Sequence, residues 1–302
     1  MSTRIRFLGG AGTVTGSKYL IDTDGSKIMV DCGLFQGVKN LRLRNWAPLA
    51  VDEKGIDTVL LTHAHLDHSG YLPRFVKNGF SGPVISTTAT RDLCEVLLAD
   101  SGYLLEQDAE FANRHGFSKH KPALPLYTRE DAEACMSRFT PVTFGERRTV
   151  SKGVLARFLP AGHILGASII EVECAGMKIV FSGDLGRRNS ATMVDPTRVA
   201  QADYLIVEST YGNRSHETAD PEDILADIIC RTAGRGGTII VPSFAVGRAQ
   251  ALMYHLQKLK GAGRIPDLPV FLDSPMAVDA SRLFCKHVAD HKLTEGHEIR
   301  NG

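Results

Sequence analysis

The chain has 302 residues, 43% of them hydrophobic and 23% charged, a composition that excludes a disordered or fibrous chain and allows one large core or two domains. Lys plus Arg number 35 and Asp plus Glu 34, a net charge of +1, so a polyanionic partner must be held by a local patch and not by the overall field. Cys32, Cys94, Cys135, Cys174, Cys230 and Cys285 are scattered and form no C-x-x-C pair, which argues against a disulfide framework and for a reducing, cytoplasmic setting. The N-terminus lacks the apolar core of a signal peptide and no run nears the ~18 apolar residues of a membrane span, so no membrane partner is expected.

In chain order, β-branched runs bounded by Gly or Asp predict strands at Arg4–Leu8, Lys18–Ile21, Lys27–Val30 and Thr58–Leu61. A helical stretch follows, capped by Thr88 and running to about Asn113, with a second helix capped by Thr128 and running to about Arg138. Strands return at Val154–Leu159, Ile169–Glu173, Lys178–Phe181 and Tyr204–Val207. After Glu208 the pattern becomes strand–helix alternation, which predicts a parallel sheet in a second domain. Asp220-Pro221 starts a helix that ends near Gly234, Thr238–Pro242 reads as a buried strand, and a helix spans Gly247 to Lys260. Val270–Asp273 reads as another strand and Ser274-Pro275 as a further helix start. The domain boundary falls near Tyr211–His216, giving domains 1–212 and 213–302.

The strongest chemical signal is T-H-A-H-L-D-H, which places His63, His65, Asp67 and His68 just after the apolar run Val59-Leu60-Leu61. Imidazole nitrogen and carboxylate oxygen are the donors that hold zinc at about 2.0–2.2 Å. His63 and His65 share a side if the strand continues through them, because strand side chains alternate. Asp67 and His68 then fall in the next turn, where they can face a second ion. Further donors sit singly at strand ends: His163 in A-G-H-I-L-G, Asp184 in S-G-D-L-G-R, and Asp31 in V-D-C-G, the last as a group that orients a ligand histidine. G-G-A-G-T-V-T-G-S-K looks like a phosphate-cradling loop but matches neither glycine-rich consensus; it is read as a turn at the rim of the metal site.

This ordered set resembles the motifs of the metallo-β-lactamase fold, an α/β architecture with an αββα sandwich. The blocks F-L-G-G-A-G-T-V-T-G-S, D-C-G-L-F-Q-G, A-G-H-I-L-G-A, S-G-D-L-G-R and V-E-S-T-Y-G-N-R narrow the resemblance to its β-CASP nucleases, and P-S-F-A-V-G-R resembles the start of their inserted α/β domain. Relatives of that kind include the endonuclease of pre-mRNA 3′-end processing and bacterial and archaeal ribonucleases. The resemblance implies a first zinc on His63, His65 and His163 and a second on Asp67 and His68, with Asp184 bridging. It assigns Asp31, Asp67, Asp184 and Glu208 to catalysis, with a metal-activated hydroxide as nucleophile. It further implies that residues of the P-S-F-A-V-G-R segment, Ser243 and Arg248, contact RNA phosphates; Arg214 is a further cation able to neutralise one. The expected partner is single-stranded RNA; DNA stays open because nothing visible reads a 2′-hydroxyl, and so does a homodimer.

The chain departs from the family pattern late in the sequence. Complete β-CASP proteins carry two further histidines in a segment that returns to the first domain, whereas this chain ends at E-I-R-N-G, and His287, His291 and His297 lack the matching context. The second zinc is therefore expected to be weakly held and the activity of this chain reduced or absent. The leading reading is a zinc-dependent ribonuclease, endonucleolytic and with 5′-exonuclease activity open. The alternatives are a small-molecule hydrolase of the same fold, a thioesterase or lactonase, and a non-catalytic zinc-containing RNA-binding protein.

Overall fold

The computed structural model describes residues 3–215 and 219–293. They form two compact units, one of residues up to Arg188 together with Asp195–Glu208, the other of Asn189–Val194 and the residues from Ser209 onward. His216 and His297, and the last residues E-I-R-N-G, lie outside the described residues.

The first unit is built on two sheets. One contains, in spatial order, β1 (Arg4–Gly9), β2 (Lys18–Thr23), β3 (Ser26–Val30), β4 (Thr58–Leu60), β5 (Val84–Thr87) and β6 (Phe139–Val142). The other runs from β7 (Arg147–Ser151) through β8 (Val154–Pro160), β9 (Ser168–Cys174) and β10 (Met177–Phe181) to β11 (Tyr204–Ile206). Strands β1 to β3 pair antiparallel, whereas β3 to β6 run parallel. All three residues of β4 are buried, as expected of a parallel strand covered on both faces. Strand β8 instead alternates, turning Val154, Ala156 and Phe158 inward.

The inward residues of the two sheets meet in one apolar core. Ile21, Ile28, Val30, Leu60 and Ile85 come from the first, and Phe158, Ile170, Val172, Ile179 and Phe181 from the second. Short helices α1 (Lys39–Leu43), α2 (Leu66–Ser69) and α3 (Leu72–Lys77) follow β3 and β4. The long α4 (Thr88–His115) and α5 (Arg129–Cys135) pack together on the first sheet's helical side. Thr87, not Thr88, caps α4, accepting a hydrogen bond from the Thr90 amide. Thr128 caps α5 through a reciprocal capping box with Asp131.

Three strands escape the sequence pattern. β6 contains Pro141 and is an edge strand, the place where a missing ladder N–H is tolerated. β7 is the edge of the other sheet and carries Arg147 and Arg148. β5, V-I-S-T, is four residues long and leads straight into the cap of α4.

The second unit contains α6 (Pro221–Ala233), α7 (Arg248–Gly261) and α8 (Pro275–Lys286), capped at Asp220, Gly247 and Ser274 as their sequences imply. Ala226, Ile229, Leu259 and Ile265 form its apolar cluster. The expected strands at Thr238–Pro242 and Val270–Asp273 are not formed. Among the described residues neither segment has a ladder partner, and Ile240 and Phe271 are 86% and 85% exposed. A strand requires a neighbour to bond its backbone, and the expected parallel sheet is therefore absent from the described residues.

One cation lies inside the first unit. Lys18 is fully buried, donates to the Gly33 carbonyl, and sits 4.6 and 4.8 Å from the ring centroids of Phe35 and Tyr71. Burial pushes its pKa down to about 8 from 10.5. Between those values the unfolded chain holds a proton that the folded chain has released, so stability rises with pH across the window, and the cost of the buried charge is fully present below about pH 8. Lys18→Met removes that slope. The difference in Tm between the two proteins, followed from neutral pH to about pH 10, should shrink or change sign as Lys18 in the parent loses its proton.

Candidate metal centre

The centre lies where the ends of β3, β4 and β10 meet the β8–β9 loop. Register places its parts: Val30 pairs with Leu60, so Asp31 and Leu61 leave the first sheet side by side, and Phe181 pairs with Ile206, so Ser182 and Val207 do so in the second. A backbone hydrogen bond of 2.9 Å from Ser168 N to Thr62 O ties the two sheets together at this edge.

Three imidazoles converge. His63 Nε2 lies 3.2 Å from His65 Nδ1, and His163 Nε2 lies 3.1 Å from the same atom. Asp184 Oδ2 is 3.8 Å from His63 Nε2 and 3.5 Å from His163 Nε2. One donor atom from each of these four residues falls within 4.8 Å of the others. Tetrahedral coordination with metal–nitrogen bonds of about 2.0–2.1 Å separates neighbouring donors by roughly 3.3 Å, close to what the imidazoles show. The spacing fits one divalent ion.

The other carboxylate oxygen of Asp184 faces a second set. Its Oδ1 is 3.2 Å from His68 Nε2, which is 3.8 Å from Asp67 Oδ2. Asp184 thus divides its two oxygens between the groups, the arrangement of a bridging ligand.

The alternation argument for His63 and His65 does not hold, because the β4 ladder ends at Leu60 and His65 is the N-cap residue of α2. Their donors converge through the loop 61–65. Asp67 and His68 belong to the single turn of α2.

The family model of the metallo-beta-lactamase superfamily matches residues 11–226. The chain belongs to this superfamily. A Beta-Casp domain model matches residues 249–299 in addition. Ribonuclease TTHA0252 of Thermus thermophilus is 37% identical over 91% of this chain and 59% of its own length. Cleavage and polyadenylation specificity factor 73 of Drosophila melanogaster is 33% identical over 91% of this chain and 38% of its own. The chain therefore spans less than two thirds of either relative. A protein of unknown function from Enterococcus faecalis V583 superposes with a TM-score of 0.55 over 94% of this chain and 68% of that one, at 16% identity, a likeness of fold alone.

Further side chains hold these donors in place. Asp31 adopts a left-handed backbone, φ 57°, which few non-glycine residues tolerate without compensation. Its Oδ1 accepts from Thr62 N at 2.8 Å, and its Oδ2 accepts from Thr62 Oγ1 at 2.9 Å and from His68 Nδ1 at 2.7 Å. His68 thereby keeps its Nδ1 proton and turns Nε2 toward Asp184. Thr62 Oγ1, having donated to Asp31, accepts at 3.0 Å from His63 Nδ1, which leaves His63 Nε2 free as a donor. Thr62 was invisible as a functional residue in the sequence; its one signal is its place immediately before the histidine motif. Glu208 braces the Asp184 loop from both sides: its Oε1 accepts from Leu185 N at 3.3 Å and its own amide donates to Ser182 Oγ at 3.0 Å.

Electrostatics keep the three-histidine group ready for a metal. Burial, reinforced by the neighbouring histidines, holds His63 well below the ordinary imidazole pKa. Burial and then His163 bring His65 down to about 3, and burial lowers His163 as well. Burial works against ionised Asp184, but its hydrogen bond to His68 and the surrounding imidazoles win and lower it to about 2. Burial also opposes protonated His68, yet Asp31 and Asp184 outweigh it and raise His68 well above 6.5. Three neutral imidazoles thus face an anionic carboxylate.

Glycines allow the loops to touch. A Cβ on Gly186 would lie 1.8 Å from Gly162 O and 2.8 Å from His163 N. Gly186→Ala should therefore push the His163 loop from the centre, costing about 1–3 kcal/mol of stability and at least ~10-fold in metal affinity. Denaturant titration and a metal-binding titration measure the two effects.

Of the residues expected to contact RNA phosphates, Ser243, Arg248 and Arg214 are all exposed and belong to the second unit. Arg248 opens α7. His291, unassigned from sequence, is a packing residue: its Nε2 lies 2.8 Å from Phe284 O and its ring stacks on Phe284.

Proposed function

We propose that this chain is the metal-bearing part of a zinc-dependent phosphodiesterase that cuts single-stranded RNA. The observation that carries the reading is Asp184 reaching from the three-imidazole group, at 3.5 Å from His163, to His68 at 3.2 Å. Imidazole and carboxylate donors in this spacing suit zinc. His63, His65 and His163 would hold the first ion and Asp67 and His68 the second, with Asp184 available to both. Bound there, the ions would polarise a phosphodiester and lower the pKa of water. The chain's own residues orient: Asp31 and Thr62 set the tautomers of His68 and His63, and Glu208 fixes the loop of Asp184. Ser243, Arg248 and Arg214 are proposed to neutralise RNA phosphates. The names of the relatives, a ribonuclease and a cleavage factor, support an RNA substrate. The free cysteines, four of them buried, support a cytoplasmic setting.

The test is zinc content and cleavage of a labelled single-stranded RNA in one preparation. Zinc on the three-histidine group, a second ion held more weakly, and RNA hydrolysis that rises as the second ion is supplied is the expected result. Two zincs with hydrolysis of a thioester or lactone, and none of RNA, would sink the nuclease reading. Stoichiometric zinc with no turnover of any ester would leave a non-catalytic zinc protein.

A further inference from the structure

At its C-terminal end α4 carries a cluster of rings turned to solvent. Phe111 and Phe117 are 53% and 65% exposed, and the His115 ring lies 4.1 Å from Phe111 at 40°, with the two phenyl rings 5.6 Å apart. Gly116, in a left-handed conformation, ends the helix and turns the chain so that Phe117 comes back beside it. The following loop is clamped to the helix: Asn113 donates to Ala123 O at 2.9 Å and accepts from Ala123 N at 2.7 Å. The rings are thus mounted on built structure.

Cations neighbour them in the chain. Arg114 shares the helix face of Phe111 at i+3, and Lys119 and Lys121 lie in the clamped loop. None of the three makes an ion pair among the described residues. No acid occurs between Phe111 and Arg129; Glu110, one turn before Arg114, is the nearest in sequence. Metal binding uses none of these groups, and the first unit's core does not cover them.

We infer that the Phe111–His115–Phe117 cluster with Arg114, Lys119 and Lys121 is a stacking platform for unpaired bases of single-stranded RNA, separate from the metal centre. The combination is specific to such a ligand. Exposed rings offer faces to unstacked bases whatever their identity, and adjacent cations take the phosphates between them. An apolar protein partner has no use for three unpaired cations next to the rings in the chain. The N-terminal turn of α4 touches the metal-site loop, where Thr87 and Thr90 hydroxyls bond Gly166 O. At 1.5 Å per residue the helix carries the platform roughly 40 Å from that turn. It therefore engages a strand at a distance from the bond being cut, and long substrates benefit where short ones do not. The inference deepens the ribonuclease reading and rests on it for the choice of RNA.

The experiment is anisotropy of a labelled single-stranded RNA with hydrolysis-resistant phosphorothioate linkages, on the metal-loaded chain. Phe111→Ala with Phe117→Ala should weaken binding about 5- to 30-fold. Lys119→Gln with Lys121→Gln should lower the slope of log K against log salt by about 1.4. Phe117→Trp, in a Trp46→Phe background, should retain binding and show emission quenched by RNA, which keeps the test valid if the alanine pair is unstable. RNA duplex, which offers no unpaired bases, should be indifferent to the alanine pair. Unchanged RNA affinity in the alanine and glutamine pairs, with no quenching, overturns the platform and leaves the face to a protein partner. The two readings separate cleanly: hydrolysis of unmodified RNA with no effect of the variants rejects the platform alone, and loss of binding in the variants of a chain that hydrolyses no RNA rejects the nuclease alone.

Discussion

His65→Ala should lose the metal of the three-histidine group and lower phosphodiester cleavage by at least about 100-fold, given that even groups supporting a ligand cost 10- to 100-fold. His65 Nδ1 is the hub of the cluster, 3.2 Å from His63 Nε2 and 3.1 Å from His163 Nε2. Without it the remaining donors, His63, His163 and Asp184, are separated by 3.5 Å or more where the carboxylate is involved. The fold should tolerate the change. His65 makes no side-chain cap bond to α2, and its ring is half-buried, so the metal-free variant should melt within about 1 kcal/mol of the metal-free parent. Metal analysis, cleavage rate and Tm of both proteins with and without chelator separate loss of ligand from loss of fold. A variant that keeps its full metal content would remove His65 from the centre.

Asp31→Ala should destabilise the metal-free protein by about 3–5 kcal/mol, the cost of leaving one partner of a buried pair alone. Asp31 is almost fully buried and takes three hydrogen bonds, from Thr62 N, Thr62 Oγ1 and His68 Nδ1. Removing it orphans all three donors at once. The effect depends on pH with a definite sign. His68 is raised well above 6.5 in the folded chain, burial opposing and Asp31 and Asp184 prevailing. The stability so gained is fully present below the unfolded value and lost as pH rises through the raised one. The difference between parent and Asp31→Ala is therefore largest at mildly acid pH and narrows toward alkaline pH. Asp31→Asn, which accepts the left-handed backbone and can still receive from Thr62 N, should lose less. Denaturant curves of the three proteins at several pH values give the comparison. An Asp31→Ala deficit that grows with pH would contradict the pairing with His68.

Much of the first unit was legible because its strands are local patterns. Val154–Pro160 alternates with a period of two, and β4 is apolar throughout, so each reads from a few neighbouring residues. Helix caps were equally local: Thr128, Asp220 and Ser274 bond amides two or three residues on. The failures share a cause. β6 includes a proline that its edge position excuses, and 238–242 and 270–273 carry strand composition without a ladder among the described residues. Whether a segment pairs depends on a partner that the segment itself does not specify.

The same division holds at the centre. By itself the sequence determined the donor types and their order, since His63, His65, Asp67 and His68 are chemically committed by identity and lie within six residues of one another. Only the tertiary structure decided that His163, 98 positions from His65, brings its Nε2 to 3.1 Å, and that Asp184 turns one oxygen to each histidine group. It also supplied Thr62 as the relay between Asp31 and His63, and the exposed rings of Phe111 and Phe117. The reason is physical: residue type sets which bonds a group can make, whereas sheet register and loop packing set which groups come within reach to make them.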